Sequence, residues 1–348
     1  MSETPTVAQR PDGSEPGSEG PDAPVPGREP SGPRPDRNQV WRRLRADRAA
    51  VAALVVVVLL VLMAVAAPLI CALEGQNATT FHNNLIDSAT GGVPIGPFGG
   101  ASGDHWLGVE PGTGRDVLAR LVDGAQVSLS VSLGATVVQI ALGVLVGLAA
   151  GLGTRTVDTV LSRAMDLVIA FPSLVFAVAL MAVVPGGFPR PLLLMLVIGI
   201  LGWGQTARIV RGQVLSLRGL DYVAAARLTG ARRHRVARRE ILPALAGPVI
   251  TYGVLQLPAN VTQEAGLSFL GVGVRPPTPS WGQMLASATD WFQADPSYVL
   301  LPAALLFVTV LAFTVLGESV RTALDPRAKS RLRAGIERRR KRPEEAQA

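Results

Sequence analysis

The chain has little of the chemistry that soluble enzymes rely on. Its 348 residues include one cysteine, Cys71, so neither an intrachain disulfide nor a cysteine-based metal cluster can form. The three histidines, His82, His105 and His234, are not at metal-ligand spacing, and His105 is expected to be a solvated loop residue. No nucleophile elbow or comparable triad signature occurs, so no catalytic residue is assigned. Lysine is almost absent: only Lys329 and Lys341 are present. Neither closes a Gly-x-x-x-x-Gly-Lys-Ser/Thr loop, which excludes an ATPase of the standard phosphate-loop type. Charged residues make up only 17% of the chain against 48% hydrophobic, with a mean hydropathy of +0.34. Such a chain is too apolar for a water-soluble domain and fits an all-α polytopic membrane protein. The net charge of +7 is carried by arginine, without the aromatic interleaving of a nucleic-acid surface, and no nucleic-acid partner is expected.

What is present is a series of apolar runs. Residues 1–37, rich in Pro, Gly, Ser and acids, lack the apolar surface to offset chain entropy and read as a disordered cytoplasmic tail. Residues 38–124 comprise a basic juxtamembrane segment with Trp41, a first transmembrane helix and an external loop. Residues 125–325 hold five further helices and a cytoplasmic loop at 211–243, and residues 326–348 form a basic cytoplasmic tail. The six predicted spans are 49–72, 126–152, 163–184, 191–210, 244–270 and 299–320, each near the ~20 residues that cross a bilayer core. Ala64-Val65-Ala66 mimics a peptidase site, but the length of the run and its distance from the amino terminus favour an uncleaved helix. Nine arginines between Arg208 and Arg239 mark one side, while only Arg115, Arg120, Arg190 and Arg275 fall on the other, so both termini are expected in the cytoplasm of a multi-pass cell-membrane protein. Within the external loop, Arg115 to Gly124 places Val117, Leu118, Leu121 and Val122 on one face, predicting a short interfacial helix.

The most distinctive stretch runs from Asp221 to Pro243. It reads as a short helix, a turn at Gly230 and a second short helix ending at Pro243, with Ala224, Ala225 and Ala226 leaving a bare face that another protein can approach. An ordinary basic loop is the alternative.

Small residues, a glycine and a downstream Ile241-Leu242-Pro243 together resemble the "EAA" loop of permease subunits of binding-protein-dependent ABC importers, of the dipeptide/oligopeptide type. The matching positions are Ala225, Ala226, Gly230, Leu242 and Pro243; Ala224 stands where that motif has glutamate, and Asp221, one turn earlier, is placed to substitute in part. Tyr222 lies in the same segment. His105-Trp106-Leu107-Gly108 with Gly114-Arg115-Asp116, the stretches Asp166–Ser173 and Glu264–Trp281, and Leu324-Asp325-Pro326-Arg327 are similar to the same family, covering about residues 40–328 in order. The resemblance implies a type I importer permease fold, with the Asp221–Pro243 loop seated in an ATPase groove. It implies two ATP-binding subunits, a second homologous permease, an extracytoplasmic solute-binding protein and surrounding membrane lipid as partners. ATP and Mg would sit on the partner subunits, with no cofactor on this chain. Peptides are the implied solutes; nickel complexes and other small solutes remain open.

One polar stripe sits inside an apolar run. At helical spacing, Tyr252, Gln256, Asn260 and Gln263 fall within an arc of roughly 80°, with Glu264 beside it, and Pro258 is placed to kink the helix. Polar groups in hydrocarbon face either a translocation path or partner helices that they hold together, and both readings stand. An ion-coupled secondary transporter is the alternative function, weakened by the absence of a convincing repeat and with Glu264 as the only acid well placed in a span. A purely structural scaffold would explain the spans but not the docking loop.

Overall fold

The computed structural model describes residues 37–185 and 187–324. The expected tails, apart from Arg37, and the Asp325-Pro326-Arg327 end of the family-like motif lie outside the described residues.

The basic segment forms α1 (Arg37–Ala46), with Arg45 stacked 4.8 Å from the Trp41 ring centre. Asp47 then starts α2 (Arg48–Val65) by accepting a 3.0 Å hydrogen bond from the Ala49 N–H, which satisfies a donor the helix start leaves free. The run predicted as one span to residue 72 is broken at Ala66, ahead of Pro68 in the first turn of α3 (Ala67–Glu74). The outer segment that follows is mostly loop, with one short antiparallel pair, β1 (Ile86–Asp87) and β2 (Val93–Pro94).

The second span begins nine residues earlier than 126. α4 (Val117–Leu152) is one helix of 36 residues, about 54 Å long, and no separate interfacial helix precedes it. The face that looked interfacial is buried instead: Val117 and Leu121 pack with Trp281, Met284 and Tyr298, because protein rather than headgroup covers this end. The third span is also not a single helix. α5 (Arg155–Ala170) and α6 (Ser173–Val183) meet at an 85° bend, since Pro172 forces the preceding Phe171 into an extended conformation.

α7 (Arg190–Leu217) leads to α8 (Asp221–Leu228), and α9 (Arg233–Val236) continues through a π turn at 237–241 into α10 (Leu242–Phe269). The second short helix therefore does not stop at Pro243. The Leu242 N–H reaches back to Ala237 O, and this widened turn carries the helix past a residue with no donor of its own. Pro248 and Pro258 lie within α10, which stays helical through both. The chain ends its described course with α11 (Trp281–Ala288) and α12 (Pro296–Leu324). Five helices, α2, α4, α7, the continuous Arg233–Phe269 helix and α12, are long and apolar enough to cross a membrane, and the bent α5–α6 pair brings the number to six.

Among the described residues, α4 and α7 form the most extensively packed helix pair. Their closeness depends on Gly143, Gly147 and Gly151, one helical turn apart, which admit Thr206, Val210 and Val214. A methyl at Gly147 would stand 2.7 Å from Val210 Cβ and 2.8 Å from Ala207 O. Gly147→Ala is expected to cost about 1–3 kcal/mol by overpacking, read as a lower thermal unfolding midpoint in detergent. Gly212→Ala, where nothing lies within 4 Å of the added carbon, should stay near wild type. At the same end of the pair, Arg211 of α7 binds Asp158 of α5 (Nη2 to Oδ2 2.8 Å), and Arg208 binds Asp166, to which Arg163 is a weaker neighbour at 3.7 Å.

Candidate functional site

The helix–turn element expected to dock a partner takes a defined shape. α8 ends in a Schellman turn: Gly230 N–H donates to Arg227 O and Ala231 N–H to Ala226 O, both at 3.0 Å, with Gly230 at φ +83°. Nothing lies within 4 Å of a Cβ built there, so glycine is required by the backbone conformation and not by space. One side chain anchors the helix. Val223 is fully buried among Val210, Val214, Val236, Ile241 and Leu245. The opposite face carries Asp221, Tyr222, Ala224 and Ala225, all exposed, with Ala226 half-buried. Leu228, at its end, is an apolar side chain left 89% exposed, a feature that the sequence pattern does not mark. Leu242 and Pro243 are exposed in the first turn of α10, beyond the π turn, while contact between α8 and the start of the long helix is made by Val223, Val236 and Ile241.

The polar stripe of α10 divides in two. Gln256 and Gln263 line a cavity of about 240 Å³ together with Gln205 of α7, Gln139 of α4 and the bend residues Phe171 and Ser173. Asn260 borders the same cavity but is only 2% exposed: its amide donates to Thr136 Oγ1 (2.7 Å) and Gln139 Oε1 (3.0 Å), and its carbonyl accepts from Gln139 Nε2 (3.1 Å). Tyr252 lies nearer the α8 end, against Thr206, Gln213 and Pro248. Glu264 is sealed between helices, accepting from Ser268 Oγ at 2.8 Å. Asn260→Leu is therefore expected to lower the unfolding midpoint, because Gln139 and Thr136 lose a buried partner at about 1–3 kcal/mol. Gln256→Leu should leave the midpoint unchanged and reduce transport; a midpoint that falls equally in both variants would assign Gln256 to helix packing.

At the other end of α4 lies a buried charged cluster that no local pattern announces. Glu110 accepts from Arg115 Nε and Thr113 Oγ1, both at 2.6 Å, and from the Tyr298 hydroxyl, with Arg120 Nε 3.5 Å away. Arg120 is fully buried and also donates to Ala78 O (3.2 Å) and Gln283 Oε1 (2.6 Å), tying the outer segment, α4 and α11 together. Burial opposes the charged form of Glu110, but Arg120, with the bonds from Thr113, Tyr298 and Arg115, holds its pKa below the usual carboxylate value. Next to this cluster, His105 is 5% exposed and its Nδ1 lies 2.8 Å from Asp116 Oδ2, while Asp116 Oδ1 caps α4 at Ala119 N–H (2.7 Å). His105 is thus not a solvated loop residue: its ring fixes the cap that begins the helix. Glu74 accepts the Trp106 N–H at 2.8 Å, and burial pushes its carboxyl up. Among the described residues, no group of three or more potential ligands could hold a metal ion.

Residues 143–330 match the family model of the binding-protein-dependent transport system inner membrane component, and residues 37–85 match that of the N-terminal transmembrane domain of oligopeptide transport permease C. Similar curated proteins include the dipeptide transport system permease protein DppC of Alkalihalophilus pseudofirmus, 31% identical over 84% of this chain and 90% of the relative. The glutathione transport system permease protein GsiD of Pectobacterium atrosepticum is 32% identical over 84% and 91%. DppC of Bacillus subtilis is 32% identical over 83% and 85%.

Proposed function

Since this chain belongs to the family of binding-protein-dependent transport inner membrane components, we propose that it lines half of a peptide-import pathway, with ATP hydrolysed on separate subunits. The observation that carries the reading is α8: its Val223 side is rooted in the bundle, and its Ala224, Ala225 and Leu228 side is bare. Motion of an ATPase gripping that face passes into the Arg233–Phe269 helix, which bears Gln256, Asn260 and Gln263. Two ATP-binding subunits with their ATP and Mg, a second permease meeting this one across the glutamine-lined cavity, and a solute-binding protein over the outer cap complete the machine. The arginine distribution supports an α8 end and termini in the cytoplasm. Asp221, Tyr222, Ala224–Ala226, Gly230, Leu242 and Pro243 are assigned to coupling, and Tyr252, Gln256, Asn260, Gln263 and Glu264 to the path or its walls.

Relatives named for dipeptides and for glutathione support short peptides as the solute class. The test is uptake in proteoliposomes holding the whole complex, with labelled dipeptide and labelled glutathione and its binding protein supplied outside. ATP inside should drive accumulation; accumulation on an ion gradient without ATP would overturn the reading. No observation favours that second mechanism: Glu264 is sealed, and Asp158 and Asp166 are held by arginines.

A further inference from the structure

Between the end of α4, the end of α7, α8 and α9 lies an open cavity of about 390 Å³, lined by Leu152, Gly153, Arg218, Arg227, Arg233 and Val236. Three guanidinium groups on three separate elements border one hollow. Arg218 spends one donor on Gly151 O at 3.0 Å, and among the described residues no carboxylate lies within ion-pair distance of Arg218, Arg227 or Arg233. Asp158, on nearby α5, is already taken by Arg211. Asp158 attracts Arg218 only at longer range; like charges gathered with no anion in contact repel one another, and the hollow holds on the order of a dozen water volumes. A group with several acceptor oxygens and negative charge relieves that repulsion, and guanidinium forks match phosphate geometry.

We propose that this cavity binds a phosphate group, supplied by an anionic lipid headgroup or by a soluble phosphate. Its level in the fold suits the first source. Leu152 and Gly153 are where a spanning helix leaves the apolar layer, and Val157 and Val160, just beyond, are exposed. Basic pockets between helices at this surface are where anionic headgroups are held. A phosphate here would join Arg218, the cap residue just past α7, to Arg227 of α8 and Arg233 of α9, bracing the element assigned to coupling.

The experiment uses the whole complex purified in detergent. Phosphatidylglycerol and phosphatidylcholine are titrated in native mass spectrometry, with inorganic phosphate in a parallel arm. Arg227→Gln/Arg233→Gln should weaken phosphatidylglycerol binding about thirtyfold, at about fivefold per arginine, with phosphatidylcholine unchanged. Arg155→Gln, an exposed arginine at the same surface but outside the cavity, should have little effect. Should inorganic phosphate protect the complex from heat, with the double variant abolishing that protection while lipid affinity is untouched, the site stands and its source is soluble. Equal effects of the double variant and Arg155→Gln on the lipid, with no phosphate protection, would reduce the cavity to diffuse surface charge and overturn the proposal. Loss of the ATPase subunits with lipid and phosphate responses intact would also overturn it, by assigning these arginines to an acidic protein surface. The readouts are binding and stability, so failure of the peptide-import reading would not be mistaken for failure of this one.

Discussion

Glu110→Gln should loosen the outer cap by about 3–5 kcal/mol, the cost of leaving buried charges without their partner. Arg115 and Arg120 are 5% and 0% exposed, and Glu110 is the anion that both approach, at 2.6 and 3.5 Å. Glutamine keeps the shape and one acceptor, so the change isolates charge. Hydrogen exchange measured in the whole complex should rise across residues 78–110 and at the start of α4, because Arg120 also holds Ala78 O and Gln283. The direction of the pKa shift adds a second arm. A carboxylate held below its ordinary value of about 4.3 contributes stability that is present above that value and lost only as pH falls through the folded value. The Glu110 contribution to protection, read as the difference between the unaltered cap and Glu110→Gln, should therefore stay flat from neutral pH to about pH 5 and vanish only in strong acid, apart from any change that Glu74, whose carboxyl burial pushes up, brings to both proteins. Unchanged exchange in the variant would mean that the cluster is ornamental to the cap.

How much of this was readable beforehand depends on the range of the interaction. The spans were legible because hydrophobic length is local, and the Gly230 turn because a glycine between two helix-forming stretches is local too. Pro172 is visible in the sequence as well, yet apolar length across 163–184 predicts one span and outweighs the rule that the residue before a proline leaves the helical region, which produces the 85° bend. The same overweighting placed the start of α4 at 126. Residues Arg115–Asp123 carry four charges, which lower the hydropathy of a helix start whose charges are in fact neutralised or shielded by protein.

The cap cluster was illegible for a different reason. Glu110 and Tyr298 are 188 positions apart, and Arg120 and Gln283 are 163, so no periodicity or spacing connects them. His105 looked like a loop histidine because its partner Asp116 belongs to the next helix start. The α10 stripe lies between these cases. Helical spacing correctly put Gln256, Asn260 and Gln263 on one side, but spacing has no means of separating a side chain that lines a cavity from one that bonds to Gln139 across the helix interface.

Gly230→Pro should all but abolish transport while leaving the bundle folded. Proline fixes φ near −65°, and Gly230 needs +83° and an N–H that donates to Arg227 O; the substitution denies both. The Schellman turn opens, and α8 loses its angle to the long helix that Val223 otherwise keeps in contact with Val236 and Ile241. Coupling free energies of 1–3 kcal/mol correspond to about 5–150-fold, so ATP-driven peptide uptake should fall by at least about tenfold. Gly230→Asn serves as the rescue, because asparagine tolerates the left-handed region and keeps its N–H, and it should retain most of the uptake. Leu228→Ala probes the other half of the contact. A leucine 89% exposed on the isolated chain costs nothing to remove unless a partner covers it, whereas a residue at the centre of an interface costs about 2 kcal/mol, or about thirtyfold in affinity for the ATPase subunits. Uptake, ATPase rate and subunit retention measured together separate the two variants: Gly230→Pro should keep its subunits and lose stimulated hydrolysis, and Leu228→Ala should shed subunits on dilution. If Leu228→Ala binds as the parent does and Gly230→Pro still transports, α8 is not the element through which the ATPase acts, and the exposed start of α10 at Leu242 and Pro243 becomes the surface to alter.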